Sequence, residues 1–161
     1  MATRKQLTLF VENQTIEEIR TKFNPKQHAI ISAHVTLCRE DELEDLENVI
    51  ANMRARKIDK PIKISFNEVI RFENGKGVLI PAASENNDFH KLRSDILNSP
   101  RHHSPHITLM HPRNSICTDV IFEEIKSYNL PTEFSFNKIS LIEQKDQGKW
   151  RLLNEFIISK I

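Results

Sequence analysis

The feature that most constrains this chain is a near-repeat at an offset of 72 residues: His34-Val35-Thr36-Leu37 in the first half and His106-Ile107-Thr108-Leu109 in the second. The surroundings repeat as well. A strand-like run at 7–12 falls on another at 78–83. A helix starting at Thr15, with Glu18 three residues on as in a capping box, falls on a helix over 85–98. The β-branched run 29–37, which holds the first motif, falls on the strand 104–110, which holds the second. An apolar stripe of Leu43, Leu46, Ile50 and Met53 predicts a long helix over 40–57, with its counterpart over 117–128. The alternating segment 61–72, with Ile62, Ile64, Phe66, Ile70 and Phe72 on one face, falls on 132–143, which turns at 144–148 into a last strand, 149–158. A duplicated strand–helix–strand–helix–strand unit predicts an α+β fold of two pseudo-symmetric lobes, with mostly antiparallel sheets around a central cleft. The lobes divide near residues 76 and 77 of a single domain, 1–161, and strands are free to exchange between them.

Strand geometry gives the repeated motif its chemistry. Side chains alternate faces, so His34 and Thr36 point one way while Val35 and Leu37 point the other. His106 and Thr108 stand likewise against Ile107 and Leu109. Facing strands would gather two imidazoles and two hydroxyls around one point. Imidazole titrates near neutrality, so one ring can accept a proton while the other donates one. Hydroxyl donors and an imidazolium suit the non-bridging oxygens of a phosphodiester. Of the seven histidines, only these two have threonine two positions later.

Composition closes other routes. Three glycines cannot build a Gly-rich phosphate loop, so any bound phosphate falls to side chains. A formal net charge of +1 gives no global field for extended nucleic acid or an anionic membrane, but allows a locally positive pocket. Cys38 and Cys117 form neither a disulfide framework nor a metal clip. No run suits a signal peptide or a membrane span, and a cytoplasmic monomer is expected. The cluster Arg101-His102-His103-Ser104-Pro105-His106, with His111 beyond, is the densest in histidine. It lacks cysteine or carboxylate at zinc spacing, and no metal is expected. Cys38 shares the strand parity of His34 and Thr36, which leaves a thiolate nucleophile open beside the ordinary reading of an inert buried thiol. Glu68 falls in the apolar register of its strand, as at a bulge or as a charge facing the cleft. Phe66, Phe72, Phe89 and Tyr128 are candidates for stacking on a base or for the core.

Two His-φ-Thr-φ motifs on strands of a duplicated chain of this length resemble the 2H phosphoesterase superfamily, which includes the 2′-5′ RNA ligase-like proteins and the cyclic nucleotide phosphodiesterases. The stretches 77–112 and 148–159 are similar to that family's later strands and its proline-preceded second motif. The resemblance implies two lobes around a cleft, no cofactor, and a nucleotide or RNA terminus as substrate. It implies His34, His106, Thr36 and Thr108 as the catalytic set, with His106 as base, His34 as acid and the threonines on the phosphate oxygens. The implied reaction opens a 2′,3′-cyclic phosphate or cleaves a 2′-5′ diester, with RNA ligation or non-catalytic binding as alternatives. Arginines near the motifs, as candidates for gripping substrate, are few: Arg39, Arg101 and Arg113.

Overall fold

The computed structural model describes residues 2–56 and 60–158. The first half runs β1 (Thr3–Phe10), α1 (Gln14–Phe23), α2 (Pro25–Ile30), β2 (His34–Cys38), a 3₁₀ turn (Glu40–Glu42), α3 (Leu46–Ala55), β3 (Ile62–Ser65) and β4 (Ile70–Phe72). The second runs β5 (Gly77–Pro81), α4 (Asn87–Ile96), β6 (His106–Met110), α5 (Asp119–Lys126), β7 (Glu133–Phe136), β8 (Lys138–Lys145) and β9 (Arg151–Ile157). The mixture is α+β, and every strand pair is antiparallel.

The half-chains interleave. One sheet has the order β2-β1-β8-β9, so β1 lies beside a strand from the second half. A second sheet has the order β4-β5-β6, and a third consists of β3 and β7 alone. The β3–β7 pair joins the first part of 61–72 to the first part of its counterpart, 132–143. Pro61-x-x-x-Ser65-Phe66-Asn67 and Pro131-x-x-x-Ser135-Phe136-Asn137 share a pattern. Ile64 pairs with its own counterpart Phe134, Ile62 pairs with Phe136, and the Phe66 amide donates to the Thr132 carbonyl at 2.8 Å. Equivalent positions thus exchange partners, as in a two-fold self-complementary interface.

Several local expectations shift. α1 is capped by Asn13, whose side chain accepts from the Ile16 amide, and not by Thr15. Asparagine is a better cap than threonine, and it draws Thr15 into the first turn. Residues 25–30 form α2, with Pro25 in its first turn, so the strand begins only at His34. The helix expected from residue 40 starts at Leu46 behind the Asp45 cap, because Glu42 is drawn away into a buried ion pair; residue 57 of that expectation lies outside the described residues. The segment 61–72 breaks between β3 and β4, and Glu68 sits exposed in the break, away from the two motifs.

The duplication extends to an irregularity. Thr8 pairs with Thr36 while Leu7 pairs with Cys38, and Leu79 pairs with Thr108 while Val78 pairs with Met110. Each motif strand therefore carries one extra residue, a β-bulge. Leu37 and Cys38 both turn to the core, as do Leu109 and Met110. The bulge removes Cys38 from the face of His34 and Thr36. Burial pushes its thiol up to about 12, so the nucleophile reading fails.

Arg93 of α4 fastens the back of β2. Its guanidinium, 2% exposed, donates to both carboxylate oxygens of Glu42 at 3.0 and 2.6 Å. It also reaches the Leu37 carbonyl at 2.5 Å and the Arg101 carbonyl at 3.0 Å. Burial works against the Glu42 charge, but Arg93 and the Arg39 amide hold its carboxyl below the usual range. Replacing Glu42 by Ala should strand the buried guanidinium and cost about 3–5 kcal/mol, read from urea unfolding.

Candidate functional site

The two motif strands bring His34, Thr36, His106 and Thr108 to the wall of one cleft of about 190 Å³. All four side chains are half-buried, with Val35, Leu37, Ile107 and Leu109 on the core side as strand alternation requires.

The two imidazoles are held in the same way. His34 Nδ1 lies 2.8 Å from the Ser32 carbonyl, and His106 Nδ1 lies 3.1 Å from the Ser104 carbonyl. A carbonyl only accepts, so each Nδ1 bears hydrogen and each Nε2 is left as the working nitrogen. The repeat is therefore longer than His-x-Thr-Leu, since both copies read Ser-x-His-x-Thr-Leu. Phe10 flanks His34 edge-on at 6.4 Å, and His103 flanks His106 at 6.1 Å. Gln6 Nε2 donates to the Thr36 hydroxyl oxygen at 3.2 Å and to Thr8 at 2.8 Å. With its oxygen already accepting, Thr36 is left with a hydrogen to donate into the cleft.

The expected arginines divide. Arg113 lines the cleft. Arg101 is paired with Asp41 on another surface, and the Arg39 backbone caps the 3₁₀ turn; neither lines the cleft. Two arginines that sequence reasoning missed do line it. Arg4 on β1 is braced by the buried Gln144, whose Oε1 accepts from Arg4 Nε at 3.1 Å and also from Nη2. The Arg4 guanidinium lies 5.2 Å from the Trp150 ring. Arg20 on α1 is 2% exposed. A signal existed for Arg20. It occupies the apolar register of its helix, with Ile16, Ile19 and Phe23 at the neighbouring places of the stripe.

The lining thus supplies three guanidinium groups (Arg4, Arg20, Arg113) and three imidazoles (His34, His106, His111), with no carboxylate among the described residues. A chain of net charge +1 has concentrated positive charge in one small cavity. Burial pushes His34 down to about 4, opposed by its bond to the Ser32 carbonyl and reinforced by Arg20 and His106. Burial also brings His103 to about 4, although its Nε2 donates to the Thr36 carbonyl at 2.9 Å. His111 falls to about 4 through burial and the nearby Arg113. Among the described residues, no three His, Cys, Asp or Glu side chains gather as a metal-binding group.

This architecture can be set beside known proteins. The family model of the 2′-5′ RNA ligase superfamily matches residues 10–148. The chain belongs to the 2′-5′ RNA ligase superfamily. Its fold is shared by several solved structures. Escherichia coli LigT complexed with ATP superposes with a TM-score of 0.65 at 15% identity, over 98% of each chain. A protein of Thermus thermophilus gives 0.59 at 17% identity, over 98% of this chain and 100% of that one. A structure described as a phosphoesterase gives 0.64 at 14% identity, over 99% and 100%. A sequence comparison with curated proteins finds no match. Among the described residues of this superfamily member, no helix is long and apolar enough to cross a membrane.

The depressed histidines set a pH dependence of stability. Above the ordinary value of 6.5, folded and unfolded chains both hold His34, His103 and His111 neutral, and these groups contribute no slope. Between 6.5 and about 4 the unfolded chain binds protons at these sites that the folded chain refuses, so stability falls as pH falls. The urea midpoint should drop through this window, and His103→Asn should flatten the slope by up to one proton.

Proposed function

We propose that this protein is a phosphoesterase that opens 2′,3′-cyclic phosphates, or cleaves 2′-5′ diesters, of nucleotides or RNA ends by paired-histidine acid–base catalysis without a metal. One observation carries the reading: two imidazoles tethered identically through Nδ1, each with Nε2 free, in one cleft with two threonine hydroxyls. Binding alone would need no second titrating group held in this manner. The positive charge that phosphate requires comes from guanidinium groups, and no carboxylate in the lining offers itself to a divalent ion, which supports a mechanism without metal.

The environment of His34 favours the reverse of the division of labour implied by the family resemblance. Held neutral by burial, His34 Nε2 takes the proton of a water molecule as the water oxygen bonds to phosphorus. The bond from phosphorus to the leaving sugar oxygen breaks, and His106 Nε2–H protonates that oxygen. Thr36 and Thr108 donate to the non-bridging oxygens. The cleft is of a size for the phosphate and its immediate esters. Arg4 and Arg113 are shared with an adjoining cavity of about 950 Å³, which has room for the rest of a nucleotide. That LigT has been solved with ATP and with 3′-AMP agrees with a nucleotide-sized substrate. Ligation would use the same groups in the same sense, with a terminal ribose hydroxyl in place of water bonding to phosphorus as the cyclic ester's sugar oxygen leaves and is protonated.

His34→Ala and His106→Ala should each lower kcat/KM by at least about 10²-fold on a 2′,3′-cyclic nucleotide, and the double variant should lose far less than the product of the two. Turnover should survive exhaustive chelation; loss in EDTA restored by one divalent ion would end the metal-free reading. The acid limb of kcat/KM, which reports the free protein, should fall near pH 4 if His34 is the base. That of kcat should lie higher, because bound phosphate raises the imidazole.

A further inference from the structure

The two largest fully buried side chains are both arginines, and they stand at equivalent places. Arg20 is the seventh residue of α1 and Arg93 the seventh of α4, and each helix buries its third, sixth and seventh positions. Their partners have diverged. Arg93 is closed off inside the protein by Glu42 and two backbone carbonyls. Among the described residues Arg20 has Glu17 alone, with Nη1 3.7 Å from Oε1, beyond hydrogen-bond length. Its Nε and Nη1 are buried with no hydrogen-bond partner among the described residues. Glu17 Oε1 is already taken by the Ala33 amide, which donates to it at 2.6 Å. At the 72-residue offset Glu42 falls on Asn114, a neutral amide committed to Asn24 and Gln27.

A buried guanidinium without hydrogen-bond partners is expensive, and burial lowers the Arg20 pKa against the pull of Glu17. Duplication gave both helices the same arginine. One copy received a carboxylate within the protein, while the other faces the cleft of His34 and His106 with donors unspent. We propose that Arg20 is the anion receptor of this cleft, its planar fork taking the non-bridging oxygens of a phosphate mono- or diester where Arg93 takes the oxygens of Glu42. That this phosphate is also the one that reacts rests on the phosphoesterase reading. A guanidinium with two threonine hydroxyls beside it suits a tetrahedral oxyanion.

The test is thermal unfolding of the full chain with and without inorganic phosphate, and calorimetric titration with adenosine 3′-monophosphate. Arg20→Met should unfold at a higher temperature than wild type in the absence of anion, because an apolar side chain replaces a buried guanidinium whose Nε and Nη1 have no hydrogen-bond partner among the described residues. Arg93→Met should unfold lower, because it orphans Glu42. Phosphate should raise the melting temperature of wild type and not of Arg20→Met. The nucleotide should bind Arg20→Met at least about tenfold more weakly, the worth of a charged hydrogen bond. If Arg20→Met does not fold, Arg20→Lys serves: charge without the fork should shrink the phosphate shift, and a shift equal to wild type overturns the proposal. A wild type that gains nothing from phosphate, or an Arg20→Met that gains as much as wild type, also overturns it. Phosphate binding through Arg20 without turnover of any cyclic phosphate would remove the phosphoesterase reading and leave the receptor. Turnover with phosphate binding indifferent to Arg20 would do the opposite.

Discussion

The pairing of β3 with β7 about Ile64 and Phe134 relates the halves of this molecule, and much of the rest depends on it. Two strands of like sequence meet antiparallel, so each half presents the same face to the other. Beside them the chain passes between halves, with β8 from the second half completing the sheet of β1 and β2. A motif that occurs once per half then occurs twice at one place. The cleft is a consequence of that symmetry, and its two imidazoles inherit the same tether to the backbone carbonyl two residues back.

Symmetry supplies the parts, and departures from it assign them different work. His34 and His106 share a tether but not an environment: Phe10 lies against one and His103 against the other. In the proposed proton transfer one ring donates while the other accepts, and unequal surroundings favour one assignment over the other. The arginines diverge in the same manner. Arg93, satisfied internally, fastens α4 to β2, while Arg20 lines the cleft with Nε and Nη1 lacking hydrogen-bond partners among the described residues. Burying a charge in that state trades stability for a preorganised site.

What the amino-acid sequence determined by itself is the periodic and the repeated. Alternation on 34–37 and 106–109 placed each histidine with its threonine and each aliphatic in the core, because strand geometry has period two whatever surrounds it. The doubled element order likewise determined an α+β fold, and the motif brought His34, Thr36, His106 and Thr108 into view as one set. Tertiary structure alone decided the rest. Cys38 has the strand parity of His34 and Thr36 but lies in the core, because the bulge opposite Leu7 and Thr8 adds a residue that no local pattern announces. Arg39 and Arg101, close to the motifs in sequence, face elsewhere, and Arg4 and Arg20, distant in sequence, line the cleft. Sequence distance does not measure approach, since pairing sets β1 with Arg4 beside the motif strand β2, and a buried guanidinium's surroundings depend on whether the fold satisfies its donors or leaves them at the cleft.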